Sequence, residues 1–119
     1  MIDSAQAYNE SGVGYAVKSS GIDRGEIFIV SKVHPKNLGF ESTLASVETS
    51  LKDLQTDYID VMLIHSKDCD GGPGALLVCG EGEPKGTWVE TWKALELLVS
   101  KGISLYAISK RNVLLATSF

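Results

Sequence analysis

Residues 41–65 read ESTLASVETSLKDLQTDYIDVMLIH, and two different periods meet within them. Leu44, Val47, Leu51 and Leu54 recur at intervals of three and four, the spacing of one helical face. That spacing predicts an amphipathic helix over 41–55, with Glu48, Lys52 and Gln55 toward water. After Asp57 the pattern becomes YIDVMLIH, a nearly unbroken apolar run over 58–65 of the kind carried by a strand buried on both faces. A helix delivered directly to such a strand is the repeating unit of a parallel α/β sheet.

The same signals repeat on either side. Upstream, EIFIVSKV at 26–33 is a second buried strand, and Ile2 closes an earlier one. Between them residues 9–20 predict a helix, capped by Asn9, with Val13 and Val17 on one face and Gly21 as its stop. Gly12 and Gly14 interrupt its regularity. Downstream, Trp88, Trp92, Leu95 and Val99 mark a helix over 87–100 that opens on a Thr87/Glu90 capping box and stops at Gly102. SLYAIS at 104–109 reads as a further strand, and NVLLATSF as the start of a helix. The stretch 66–86, SKDCDGGPGALLVCGEGEPKG, is rich in Gly, Pro and acidic residues and predicts a long surface loop. The expected fold class is α/β, with parallel strands alternating with helices through right-handed crossovers.

A chain of 119 residues holds one domain, and 44% hydrophobic with 22% charged residues is an ordinary globular composition. The net charge of −4, without any Lys/Arg cluster, argues against nucleic acid or an anionic membrane as partner. The N-terminus lacks a signal-peptide pattern and no apolar run is long enough to span a bilayer, so a cytoplasmic location is expected. Cys69 and Cys79 have no companions at metal-ligand spacing; they read as structural thiols, and no metal site is expected.

Each strand ends on a polar residue: Asp3, Lys32, His65 and Ser109. Parallel α/β folds bind ligands at the carboxyl ends of their strands, where the loops converge. Taken singly, every one of these residues has an ordinary structural reading. Lys32 can mark a strand leaving the core, His65 a hydrogen-bonded histidine, Asp3 a helix-entry residue, and Tyr8 a half-buried aromatic. Taken together they assemble a proton-donating phenol. A free tyrosine, with a pKa of about 10, donates poorly near neutrality unless a positive charge stabilises its phenolate. Lys32 is the candidate for that charge, Asp3 the anion that keeps Lys32 protonated, and a neutral His65 the group that orients a substrate carbonyl.

These residues resemble the aldo-keto reductase family. IDSAQAY is similar to that family's D-T-A-x-x-Y motif, with Ser4 in place of threonine, and NESGVGYAV to the helix that follows it. FIVSKV is similar to the strand ending in the family's catalytic lysine, and SVETSLKDLQTDYIDVMLIHS to its S-L-x-x-L-x-x-D-Y-I-D-L-x-L-I-H segment. ETWKALELLVSKG resembles the helix before its fifth strand. The resemblance implies part of a (β/α)8 TIM barrel that uses NADP(H) to reduce aldehydes and ketones. Tyr8 would be the proton donor, Lys32 its partner, Asp3 the support for Lys32 beside the nicotinamide ribose, and His65 the carbonyl-orienting group. Ser109 would touch the carboxamide, with Lys110 standing where the family places asparagine.

After His65 the sequence has Ser66 and Lys67 where many members have Trp-Pro or Ser-Pro, and loop 66–86 is private to this chain. A full barrel takes about 250 residues. The resemblance therefore covers residues 1–119 as a single domain shortened at both ends, from the end of the second strand into the helix after the fifth. Such an arc leaves strand edges open, so self-association or pairing with a chain supplying the remaining strands is expected alongside a small carbonyl substrate. The alternative function is a catalytically silent fragment that pairs with another chain.

Overall fold

Four strands lie side by side in chain order: β1 (Ile2–Asp3), β2 (Ile29–Val33), β3 (Ile59–Ile64) and β4 (Ser104–Ile108). This computed structural model describes residues 1–64, 86–108 and 113–115. Each neighbouring pair among these four strands is parallel, as the doubly buried apolar runs imply. α1 (Glu10–Ser19) lies between β1 and β2, α2 (Phe40–Leu54) between β2 and β3, and α3 (Trp88–Ser100) precedes β4. Strand order never reverses across the sheet, which is the winding of a barrel arc; a doubly wound sheet turns back at a switch point.

One face of the sheet carries the core. Ile29, Val33, Met62 and Ala107 from the strands pack with Val47, Leu54, Leu95, Leu98 and Val99 from the helices. Side chains alternate along a strand, so the register Val30, Val61, Tyr106 projects to the opposite face. Phe28, two residues before Val30, belongs to that second face, and both Phe28 and Tyr106 are exposed.

Local chemistry sets the helix limits. Asn9 caps α1 by accepting from Gly12 N, and Gly21 adopts the left-handed φ of +70° beyond its end. Gly14 belongs to the packing: a Cβ there would fall on the Asp53 carbonyl, so α1 crosses the end of α2 at a position only glycine fits. At α3 the Thr87 side chain accepts from Glu90 N while Glu90 Oε1 accepts from Thr87 N at 2.8 Å, the reciprocal box the sequence predicts. The Thr87 backbone N–H, with its hydroxyl second, holds the Glu90 carboxyl below its usual range. Gly102, at φ +72°, stops the helix.

The structure departs from expectation at three places. The deepest stripe of α2 is Thr43, Val47, Ser50 and Leu54, with Leu44 and Leu51 on its flank; the hydroxyls tolerate burial because each has a partner. β2 begins at Ile29 rather than at 26, because Arg24–Glu26 forms a 3₁₀ turn and Ile29 N donates to the Asp60 carboxylate. The helix expected in NVLLATSF is corrected: Val113–Leu115 is a strand, β5, antiparallel to β4. Only residues 109–112 separate the two strands, and a parallel partner needs a crossover of about a dozen residues, so a short return can pair only antiparallel.

Candidate active site

The ladder between β1 and β2 continues past the last residue of β1. Ser4 N donates to Val30 O at 2.8 Å and Gln6 N to Lys32 O at 3.0 Å, so the chain stays extended alongside β2 until it turns. Tyr8 N then donates to Ala5 O at 2.9 Å, and this turn delivers Tyr8 to the carboxyl end of the strands just before α1 begins.

Lys32, on β2, faces away from the helices and reaches back over that turn. Its Nζ donates to Asp3 Oδ1 at 2.7 Å and to Ser4 O at 2.8 Å. The same nitrogen lies 5.3 Å from the centroid of the Tyr8 ring, within cation–π range. Burial separates the pair. The Lys32 side chain keeps only 14% of its exposure, whereas that of Asp3 keeps 61%. Tyr8 is 55% exposed. The ammonium is thus held in place by an anion and a carbonyl, while more than half of Tyr8 and of the Asp3 side chain stays open to solvent.

Of the residues singled out from sequence, Asp3, Tyr8 and Lys32 come together at one rim. His65, Ser109, Lys110, Cys69 and Cys79 lie outside the described residues. Among the described residues no group of three or more His, Cys, Asp or Glu could hold a metal ion, and no helix is long and apolar enough to cross a membrane.

Two polar clusters escaped the sequence reading. Behind the sheet, Glu10 accepts from Ser31 Oγ and Ser50 Oγ, both at 2.8 Å. Gln6 donates to Ser46 and Ser50 hydroxyls while its Oε1 accepts from His34 N and Asn37 Nδ2. Burial pushes the Glu10 carboxyl up, opposed by the hydroxyls of Ser50 and Ser31 and assisted by the nearby charge of Asp53. At the other end of the strands, Arg24 donates to Asp60 Oδ2 at 3.0 Å, Tyr58 O at 2.9 Å and Thr56 Oγ1 at 2.9 Å, and its guanidinium carbon lies 4.0 Å from the Tyr58 ring centroid. A serine inside the apolar run IVSKV and another on the α2 stripe are the signals that lead to the first cluster. An aspartate inside IDVMLI leads to the second.

Comparison with known proteins bears on the family and the fold. The family model described as Aldo/keto reductase family matches residues 1–114. A glyoxal reductase of Bacillus subtilis is 44% identical over 102 residues, covering 85% of this chain and 31% of that protein. Methylglyoxal reductase DkgB of Salmonella typhi is 45% identical over 65 residues, covering 54% of this chain and 24% of that protein. Among solved structures, an aldo/keto reductase from Brucella melitensis superposes with a TM-score of 0.73 at 37% identity, over 91% of this chain and 37% of that one. A Bombyx mori aldo-keto reductase solved in complex with NADP has the same fold, with a TM-score of 0.71 at 23% identity, over 91% of this chain and 34% of that one. The chain spans about a third of the length of the curated relatives it matches over most of its own. The observed sheet is accordingly an arc of the (β/α)8 barrel, and the chain belongs to the aldo/keto reductase family.

Proposed function

We propose that this chain carries the proton-donating side of an NADP(H)-dependent carbonyl reductase, converting aldehydes and ketones to alcohols. The observation that carries the reading is the Lys32 ammonium, fixed by Asp3 and Ser4 O and set against the Tyr8 ring at one rim of the sheet. Tyr8 gives its hydroxyl proton to the substrate oxygen, and the Lys32 charge stabilises the phenolate left behind. Asp3 keeps that charge in place and, being 61% exposed, retains acceptor capacity for a ribose hydroxyl of the cofactor. A bound NADPH would supply the hydride that reduces the carbonyl carbon. His65 would orient the carbonyl, with Ser109 and Lys110 completing the carboxamide end, as the resemblance to the family implies. Short dicarbonyls of the kind named for the bacterial relatives are the first substrates to test.

The test measures NADPH binding by fluorescence and NADPH consumption with glyoxal, methylglyoxal and a simple aromatic aldehyde. Tyr8→Phe is expected to keep NADPH affinity and lose about 10²–10⁴-fold in turnover. Equal turnover in Tyr8→Phe and the unmodified chain would remove Tyr8 as the acid.

A second reading, pairing with another chain that supplies strands, is favoured by the outer edge of β1. Among the described residues that strand pairs with β2 alone, and Phe28 and Tyr106 are exposed on the sheet face away from the helices. Sedimentation of the chain alone and mixed with a full-length relative separates the readings: a stable mixed complex without NADPH binding by the chain alone supports the silent partner.

A further inference from the structure

Tyr8 and Lys32 come from segments far apart in sequence, and their separation depends on how the Ser4–Asn9 turn is held against β2. The backbone ladder to β2 ends at Gln6; beyond it Tyr8 N and Glu10 N bond within the turn itself, and side chains tie the turn to β2 and α2. Gln6 uses its whole amide: Oε1 accepts from His34 N at 2.9 Å and Asn37 Nδ2 at 2.9 Å, and Nε2 donates to Ser46 Oγ at 3.0 Å and Ser50 Oγ at 3.2 Å. Ser50 passes the bond onward by donating to Glu10 Oε1 at 2.8 Å, and Glu10 Oε2 accepts from Ser31 Oγ at 2.8 Å. The result is a continuous hydrogen-bonded chain running from Gln6 through Ser50 and Glu10 to Ser31. Gln6 stands two residues before Tyr8 and Glu10 two after it, while Ser31 directly precedes Lys32. Ser31 and Ser50 are fully buried, and Glu10 is 6% exposed.

We propose that Gln6 and Glu10 are positioning residues: they clamp the Tyr8 turn to β2 and α2 from behind the sheet and thereby set the Tyr8 ring against the Lys32 ammonium. As a catalytic contribution this rests on the carbonyl-reductase reading, but the geometry it asserts can be read without turnover. Neither residue touches the reacting side. Ser31 faces the helices and Lys32 the opposite way, as alternation along β2 requires. Linked bonds in a dry interior reinforce one another, so removing one member loosens its neighbours as well. The first residue of α1 also suits a carboxylate, because the helix N-terminus favours negative charge there.

The experiment compares the full chain with Glu10→Ala, Glu10→Gln and Gln6→Ala. NMR follows the ring-current shift and the cross-relaxation between the Lys32 side-chain methylenes and the Tyr8 ring, assigned with Tyr8→Phe, at a temperature where each variant remains folded. Glu10→Ala and Gln6→Ala are expected to lose the signature. Glu10→Gln is expected to keep it, because an amide bonds both serines once one hydroxyl turns to accept. Should either alanine variant fail to fold, Ser31→Ala and Ser50→Ala remove one bond each, and a weakened signature is expected in both. In turnover, the alanine variants should lose about ten- to a hundred-fold in kcat, the scale of a small misplacement, with KM and NADPH affinity within about two-fold. A purely structural role lowers Tm while leaving the signature and kcat intact, and that result overturns the proposal. Absence of turnover in the unmodified chain defeats the reductase reading alone, since the NMR signature still decides the clamp.

Discussion

Two ion pairs mark opposite ends of the same strands, and they are built to different specifications. At the amino end, Arg24 and Asp60 retain 20% and 8% side-chain exposure, and both are bonded beyond the pair itself. Arg24 also reaches Thr56 and the carbonyls of Ile27 and Tyr58, and Asp60 also accepts from Ile29 N at 2.8 Å. Little capacity remains for a ligand. At the carboxyl end, Lys32 is equally confined but its partner Asp3 is 61% exposed, and Tyr8 is half exposed beside them. A saturated pair holds two strands in register; an unsaturated one can still bind something. The difference follows the division of labour in barrels, where the amino face carries stability and the carboxyl face carries chemistry.

The contrast breaks most visibly at Asp60. Asp60→Ala removes the acceptor for Ile29 N and strands the Arg24 guanidinium, so unfolding in urea should show a loss of about 3 kcal/mol. That is the low end for a broken buried pair, because Arg24 keeps some solvent. Arg24→Lys should cost about 1–2 kcal/mol, since a point charge cannot reproduce the fork that serves Thr56, Ile27, Tyr58 and Asp60 together. Undiminished stability in the Arg24→Lys chain would show that the fork carries nothing.

Between the two pairs stands Glu10, buried like Asp60 yet bonded by two hydroxyls and, among the described residues, by no cation. Burial raises its carboxyl above the ordinary 4.5, opposed by Ser50 and Ser31. The folded chain therefore holds that proton more tightly than the unfolded one does. The stability this gives is fully present below 4.5 and is lost as pH climbs through the raised value. Urea midpoints measured against pH should fall over that window in the unmodified chain relative to Glu10→Gln, which has no proton to lose. Parallel profiles would mean that Glu10 is solvated after all.

How much of this was legible depends on whether the determining contact is local. Leu44 through Leu54 and the run ending at Ile64 disclose a helix and a strand because period and burial are properties of neighbouring residues. The Thr87/Glu90 box is legible for the same reason. Asp3 and Lys32 stand out as polar residues where apolar runs end, and Tyr8 as the phenol five positions after Asp3. Gln6 and Glu10 do not, because a glutamine between two alanines and a glutamate between an asparagine and a serine carry no periodic signal, and the partner that buries each lies some forty positions away. β5 fails differently. VLL suits either element, and the open edge of β4, reached by a four-residue return, decides for the strand.

The smallest expected effect is at Asp3, and it tests the comparison most severely. Asp3→Asn takes the charge from the exposed partner but leaves Lys32 still bonded to Ser4 O at 2.8 Å, so its ammonium is not abandoned. An exposed pair of this kind contributes about 0–1 kcal/mol, and the loss should shrink further in concentrated salt as the charges are screened. On the carbonyl-reductase reading proposed above, the exposed carboxylate would serve binding rather than folding, so NADPH affinity should fall while the urea midpoint barely moves. If Asp3→Asn instead destabilised the chain as strongly as Asp60→Ala, the carboxyl-end pair would be a structural clasp like its counterpart. The Lys32 ammonium would then be held for the fold, and the case for a poised acid at Tyr8 would lose its electrostatic half.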